Sequence, residues 1–581
     1  MRGGGNAKSC CLTRRACTRR LPGGARETYS GQMMRRLPFL VLLALLALFA
    51  PRLATAAEAV PLTIEAQRSP DGSRLGLSWQ PLKGVMPQVF RRRLGETGQE
   101  TWQPYRPEIL LPNRLLETEL QPGIAYEYQV RLQAGDTLRL GFWTAGTKVP
   151  AAPQSGHAIV VVDQTVEAAL AAPLDRLMLD LVGDGWRTTR IASPRAADAP
   201  EENMTRAIAL RQQITDALDS DPFADRAVLL IGHVPVVHSG WIAPDGHNQR
   251  PQATDLFYVT PDAFWPPVVT PTGQLALRPT LIPGGHIAAP IGRVDFADLG
   301  DAFGPETDLL ASWLDRNHRW RQAEDPPLTR AYADNNNLLL ERAELLNVVG
   351  PDALISAGHH DHQGKGPFLF GVDFGDHRGA AYADLPAVEA VFTINFGSGK
   401  QQFDRGNNPM RTLLAASDMA LTVAWGGRPS WLLHGMALNE TIGQAQMRTV
   451  NNGDAALGLG SRDYGLTGNY DWINPVWVNL MGDPTLHPFP QPPATDFTAR
   501  REEGGVRLEW RLPEEATSAL LYRAEAETGP YDLIAEDVTG GSFSDAAAPE
   551  AAWYMMRAKG LAQVHAGSVY RLSTGRFASA P

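Results

Sequence analysis

Four consecutive residues, His359, His360, Asp361 and His362, carry side chains that can bind a metal or move a proton. Imidazole is the side chain that titrates near neutral pH, so it serves as a general base or a metal ligand. Imidazole and carboxylate together suit zinc, manganese or iron. A second pair, Asp376-His377, follows 14 residues after His362, which makes His360, His362 and Asp376 a candidate ligand set. Neighbouring side chains on an extended chain point to opposite faces, so at most two of the four consecutive residues aim one way. Their spacing matches no common zinc motif, and a polar loop after a strand is the alternative.

A second chemical group lies at Gly397-Ser398-Gly399. A serine in a glycine turn can act as a nucleophile if a base sits within ~3 Å and backbone N–H groups face the developing oxyanion. His359 would be that base, and the amides of Gly397 to Lys400 the oxyanion donors. The alternative is a tight turn built from small residues.

Both groups follow apolar runs, Ala353-Leu354-Ile355-Ser356-Ala357-Gly358 and Val391-Phe392-Thr393-Ile394-Asn395-Phe396. Such runs read as strands, and in open α/β sheets ligands gather outside the carboxyl ends of strands. The surrounding chain supports that setting. His157–Asp163, Gly185–Ile191 and Arg226–Ile231 are predicted strands, separated by helical patterns over Thr165–Leu181 and Glu201–Leu218. This alternation predicts a parallel sheet with crossover helices. No Gly-x-Gly-x-x-Gly follows the first strand, which argues against a dinucleotide site. A further helix is predicted over Glu306–Arg321. His434-Gly435-Met436 opens another, with its histidine either at the crevice or in the core.

On either side the pattern changes to short strands. Residues 60–148 contain Leu75-Gly76-Leu77-Ser78-Trp79 and the run Leu120-Gln121-Pro122-Gly123-Ile124-Ala125-Tyr126. The latter resembles the tyrosine corner of fibronectin type III sandwiches. Residues 495–577 repeat the pattern more weakly, with Val506-Arg507-Leu508-Glu509-Trp510 in place of the first strand.

Composition narrows the function. The chain of 581 residues is too long for one core and carries a formal net charge of −10. Residues 1–56 hold ten Lys/Arg and one acidic residue, which leaves 43 basic and 62 acidic residues, a net −19, for the rest. That balance argues against nucleic acid or an anionic membrane surface as a partner. Met33-Met34-Arg35-Arg36 followed by the apolar Leu37–Ala50 and by Ala54-Thr55-Ala56 reads as a secretory signal over 33–57, preceded by an upstream segment 1–32. An uncleaved anchor is the alternative; after cleavage no membrane span is expected. The three cysteines, Cys10, Cys11 and Cys17, all lie upstream, so no thiol nucleophile is expected in the mature chain.

Residues 155–488 resemble the gingipain family of secreted peptidases, relatives of the caspases. The resemblance rests on Gly232-His233-Val234-Pro235-Val236, Thr254-Asp255 with Phe257-Tyr258, Gly292-Arg293-Val294, Ala357-Gly358-His359 and Leu480-Met481-Gly482-Asp483-Pro484-Thr485. It implies a caspase-like α/β domain of two subdomains, flanked by two all-β fibronectin type III-like sandwiches. The family's catalytic histidine follows a glycine at a strand end, which His359 matches. Its catalytic cysteine ends the next strand, where this chain has Phe396. Phenylalanine offers no nucleophile, so the acyl-enzyme route cannot run from it. The resemblance therefore implies a relative without turnover that binds a peptide or protein, a polysaccharide or a cell surface. A hydrolase using Ser398, or one using the histidine cluster, stands beside that reading. The resemblance requires no cofactor, and calcium is implied only in loops, where Asp245, Asp255 and Asp262 are candidates.

Overall fold

Gly156–Asp163 and Arg226–Ile231 are nearly unbroken runs of Ala, Val, Leu and Ile, and every residue of the first is buried. Parallel strands covered on both faces have this composition. In the computed structural model they lie side by side in a ten-stranded central sheet. The structure describes residues 59–580 apart from 70–71, 73, 97–100, 118–119, 136, 221–224, 243–249, 262, 272, 278–286, 336–337, 359–363, 373–388, 398, 427–429, 452, 455–458 and 462–477.

The sheet strands are β1 (Gly156–Asp163), β2 (Trp186–Ser193), β3 (Arg226–Ile231), β4 (Ile291–Val294) and β5 (Ala331–Asp334). They continue as β6 (Leu354–Ala357), β7 (Phe368–Val372), β8 (Ala390–Asn395), β9 (Thr422–Trp425) and β10 (Leu480–Gly482). Their order is β2-β1-β3-β4-β10-β9-β8-β7-β5-β6. All neighbours are parallel except β10 and β9. The sheet thus has two halves, β1–β4 with β10 and β5–β9, which run in opposite senses. Helix Ala171–Gly183 leads from β1 to β2, and Pro200–Asp219 leads back to β3. The chain therefore reverses direction at β1 and β3, the position where α/β sheets open a crevice.

Strands also build the flanks. Leu75–Trp79 buries alternate residues, as a strand with one core-facing side must. Trp79 packs in the core and its indole donates to Pro112 O at 3.0 Å. Gly505–Arg511 repeats the alternation, with Trp510 buried in the second module. The modules also join. Gly567–Leu572 runs parallel to Thr137–Val149, pairing Gly567 with Gly146 and Val569 with Val149. A second ten-stranded sheet thereby runs through both modules. The contact needs glycine, because a Cβ at Gly567 would stand 1.7 Å from Gly146 O. Residues 56–581 consequently form one compact unit of mixed α/β architecture. Among the described residues no helix is long and apolar enough to cross a membrane. The upstream segment and the expected signal sequence lie outside the described residues.

Candidate functional site

In the chain, His359, His360 and His362 follow β6, Asp376 follows β7 and Ser398 follows β8. His359, His360, His362, Asp376 and Ser398 all lie outside the described residues. The strands leading to them are described, and β6 and β8 are not neighbours. Between β6 and β8 stand β5 and β7. Three strand spacings, ~14 Å, separate β6 from β8. The neighbour of β8 is β7, the Phe368–Val372 run, in register from Phe368↔Ala390 to Val372↔Ile394. Sequence reading missed this strand. His377, also outside the described residues, is five residues beyond its end. The signal was present as the apolar run Phe-Leu-Phe-Gly-Val, all five residues of which are buried in the structure.

The end of β8 is closed by packing. Phe396 is half-buried and its ring lies 5.8 Å from that of the fully buried Trp425. The Lys400 ammonium donates to Phe396 O at 2.5 Å, and the Trp425 indole donates to Gly397 O at 2.9 Å. Gly397 has φ +135°, and a Cβ there would meet the Lys400 side chain at 2.9 Å. On the other strand end, the Tyr332 hydroxyl donates to Gly358 O.

The ends of β1, β3 and β4 carry charge instead. Asp163, buried at the end of β1, accepts from Arg195 at 2.7 Å and from the His233 amide at 3.1 Å. Arg195 also reaches Glu306 at 2.9 Å. The His233 ring meets Asp295 through Nδ1 at 2.9 Å. Burial alone would raise the Asp295 pKa. The hydrogen bond from His233 and the charges of Arg411 and Arg293 outweigh it and hold the carboxyl well below the usual carboxylate range. A histidine oriented by a carboxylate is the arrangement of a general base. Here, however, the surrounding groups are engaged with one another.

The motifs behind the family resemblance converge on that network. Arg293 donates to both Asp255 oxygens at 2.7–3.1 Å and to Val234 O at 2.8 Å. The Tyr258 hydroxyl donates to Pro235 O at 2.6 Å. At the domain's end, Asp483 accepts from Arg321 at 2.6 Å, from Asn317 at 2.9 Å and from the Thr485 amide at 2.8 Å. These residues tie loops and helices to the sheet.

This geometry corrects one candidate and gives the second the core position that the sequence offered as its alternative. Asp255 does not fit a calcium site, because both of its oxygens already accept from Arg293; Asp245 and Asp262 lie outside the described residues. His434 does not face a crevice. It is fully buried where the first sandwich meets the α/β domain, with Nδ1 2.9 Å from Glu344 and Nε2 2.5 Å from Glu127. Arg92 holds the other Glu127 oxygen at 2.6 Å. Burial alone would lower the His434 pKa, but Glu344 and Glu127 raise it to about 9. Among the described residues no group of three or more His, Cys, Asp or Glu is placed to hold a metal.

No family model matches the chain. The amylopullulanase of Thermoanaerobacterium saccharolyticum is 24% identical over 212 residues, 36% of this chain and 13% of that protein, so the chain spans about an eighth of that relative's length. A solved protease structure aligns over 74% of this chain and 97% of its own, with 10% identity and a TM-score of 0.45. An Fn3-like protein from Clostridium thermocellum aligns over 15% of this chain and 91% of its own, with 21% identity and a TM-score of 0.13. The chain resembles these proteins in part, and none of them assigns it to a family.

Proposed function

We propose that this protein is an exported binding protein, built on a gingipain-like α/β domain that has lost its nucleophile and flanked by fibronectin type III-like sandwiches. It holds a peptide or a surface partner without turning it over. The observation that carries this reading is the end of β8, where Phe396 packs against Trp425 and Lys400 occupies the Phe396 carbonyl. A nucleophilic mechanism needs a hydroxyl or thiol at that point, with a base beside it.

A fluorophosphonate probe on the purified chain tests the reading. No labelling is the expected result. Labelling that disappears in Ser398→Ala would overturn it and establish a serine hydrolase. The adjacency of β7 and β8 favours a particular form of that second reading, in which the base follows β7 and is His377 rather than His359. Labelling lost in His377→Ala and kept in His359→Ala would identify it.

A further inference from the structure

The first sandwich meets the α/β domain through a buried group of charges. Arg92 and Glu127 come from the sandwich strands Gln88–Arg93 and Ala125–Ala134. Glu344 comes from the helix Leu339–Val349, and His434 from the short helical turn His434–Leu438 of the α/β domain. All four are buried. Within the sandwich, Arg92 donates to Glu127 at 2.6 Å. Within the α/β domain, His434 Nδ1 lies 2.9 Å from Glu344, which also accepts from the Leu433 amide. One ionic contact crosses between them, His434 Nε2 to Glu127 at 2.5 Å. With a carboxylate at each ring nitrogen, the imidazolium is the form that donates to both.

The other groups packed around His434 leave that balance intact. Phe142, on the strand Thr137–Val149, stacks on its ring at 5.6 Å. Arg448, on the helix Ile442–Asn451, bonds Glu440 at 2.6 Å. Glu341, on the same helix as Glu344, accepts from the Trp431 amide at 2.9 Å. With His434 protonated, each side of the contact is neutral: Arg92 offsets Glu127, and His434 offsets Glu344. Loss of the proton strips Glu344 of its counter-ion and sets it across the contact from Glu127. A buried charge without a partner is relieved by admitting water.

The sandwich is also held by groups that do not titrate. Thr144 donates to Asn347 Oδ1 through its amide at 2.6 Å and its hydroxyl at 2.8 Å. Trp102, Leu140 and Phe142 pack with Leu340 and Leu432. On another side, the strand Thr137–Val149 pairs with Gly567–Leu572 of the second sandwich, and the Gly146 amide donates to Ala566 O at 3.1 Å. One attachment of the first sandwich therefore depends on a proton, and the other does not.

We propose that His434 is a latch between the first sandwich and the α/β domain: loss of its proton opens this face while the pairing of the two sandwiches holds and the α/β core stays folded. The two carboxylates raise the His434 pKa to about 9, so the latch is complete below pH 6.5 and is lost as pH rises through about 9. Opening exposes Trp102 and leaves Trp143, which stands edge-on to His565 of the second sandwich, in place.

The test is hydroxyl-radical footprinting of the full chain across pH 7 to 10, read at single tryptophans by mass spectrometry. Trp102 reports the latch, Trp143 the contact between sandwiches and Trp313 the α/β core, where it is fully buried. Labelling of Trp102 is expected to rise about tenfold by pH 10, the factor that one proton contributes over one pH unit above 9, with Trp143 and Trp313 still protected. In Glu344→Gln the rise should begin about one unit lower, because one of the two carboxylates holding the proton is gone. In His434→Gln the labelling should not change with pH over this range. Trp143 or Trp313 rising together with Trp102 would show unfolding in place of a latch. That outcome, flat Trp102 labelling in wild type, an unmoved rise in Glu344→Gln, or the wild-type rise persisting in His434→Gln would each overturn the proposal.

Discussion

At the ends of β1, β3 and β4 stand Asp163, His233 and Asp295, each bonded to ionisable partners, whereas at the end of β8 the chain closes on two aromatic rings and a lysine. The first region looks more like an active site, with His233, the carboxylates Asp163, Asp255, Asp295 and Glu306, and the arginines Arg195 and Arg293. Yet its groups answer one another. Asp255 is occupied by Arg293, Asp163 by Arg195 and the His233 amide, and Asp295 by His233. The second region is chemically plain but sits where the resemblance places catalysis. Charge at a strand end is therefore a poor guide to turnover, because a buried ion network also holds loops to a sheet.

Breaking the first region should cost most. Arg293→Met removes the partner of the buried Asp255 and is expected to lose about 3–5 kcal/mol in urea unfolding. A loss below about 1 kcal/mol would mean that the network does not hold the loops.

The interface at His434 sharpens the comparison through pH. Its pKa is raised from 6.5 to about 9 in the folded chain, so its contribution is complete below pH 6.5 and is lost as pH rises through about 9. Glu127 and Asp295 are lowered, so their contributions are present above the ordinary carboxylate range and are lost as pH falls below it. Tm measured against pH should fall on both sides, and Glu344→Gln should shift the alkaline fall to lower pH. An unchanged alkaline limb would contradict the assignment.

Phe396→Ala comes next. The ring is half-buried against Trp425, so a loss of about 2 kcal/mol is expected, below the range for a fully buried phenylalanine. No loss would mean that Phe396 does not close the strand end. Arg195→Gln should have the smallest effect, about 1 kcal/mol, because Arg195 is partly solvated and the buried Asp163 keeps its bonds from the His233 amide and from Thr165. A loss comparable to that of Arg293→Met would mean that the bonds from the His233 amide and Thr165 do not sustain Asp163.

Local patterns carried much of the fold. Helix Glu306–Arg321 and strand Leu75–Trp79 fall where their periodicity places them. The β7 strand escaped notice because it is a short apolar run beside a long polar stretch, and periodicity does not mark a five-residue buried strand. With β7 missing, β6 and β8 read as successive strands of one pair. The joined sandwiches were also invisible, since the pairing of Gly146 with Gly567 spans most of the chain and leaves no local trace beyond two glycines. The same holds for Asp255 with Arg293: the residues were noticed as motif pieces, but only the fold shows that they meet.

The central claim is that the end of β8 does not turn over a substrate. Incubating the purified chain with a mixed peptide library and reading the products by mass spectrometry tests it most directly. Wild type and Ser398→Ala are expected to give the same products as buffer. Sequence-selective cleavage by wild type that disappears in Ser398→Ala would contradict it.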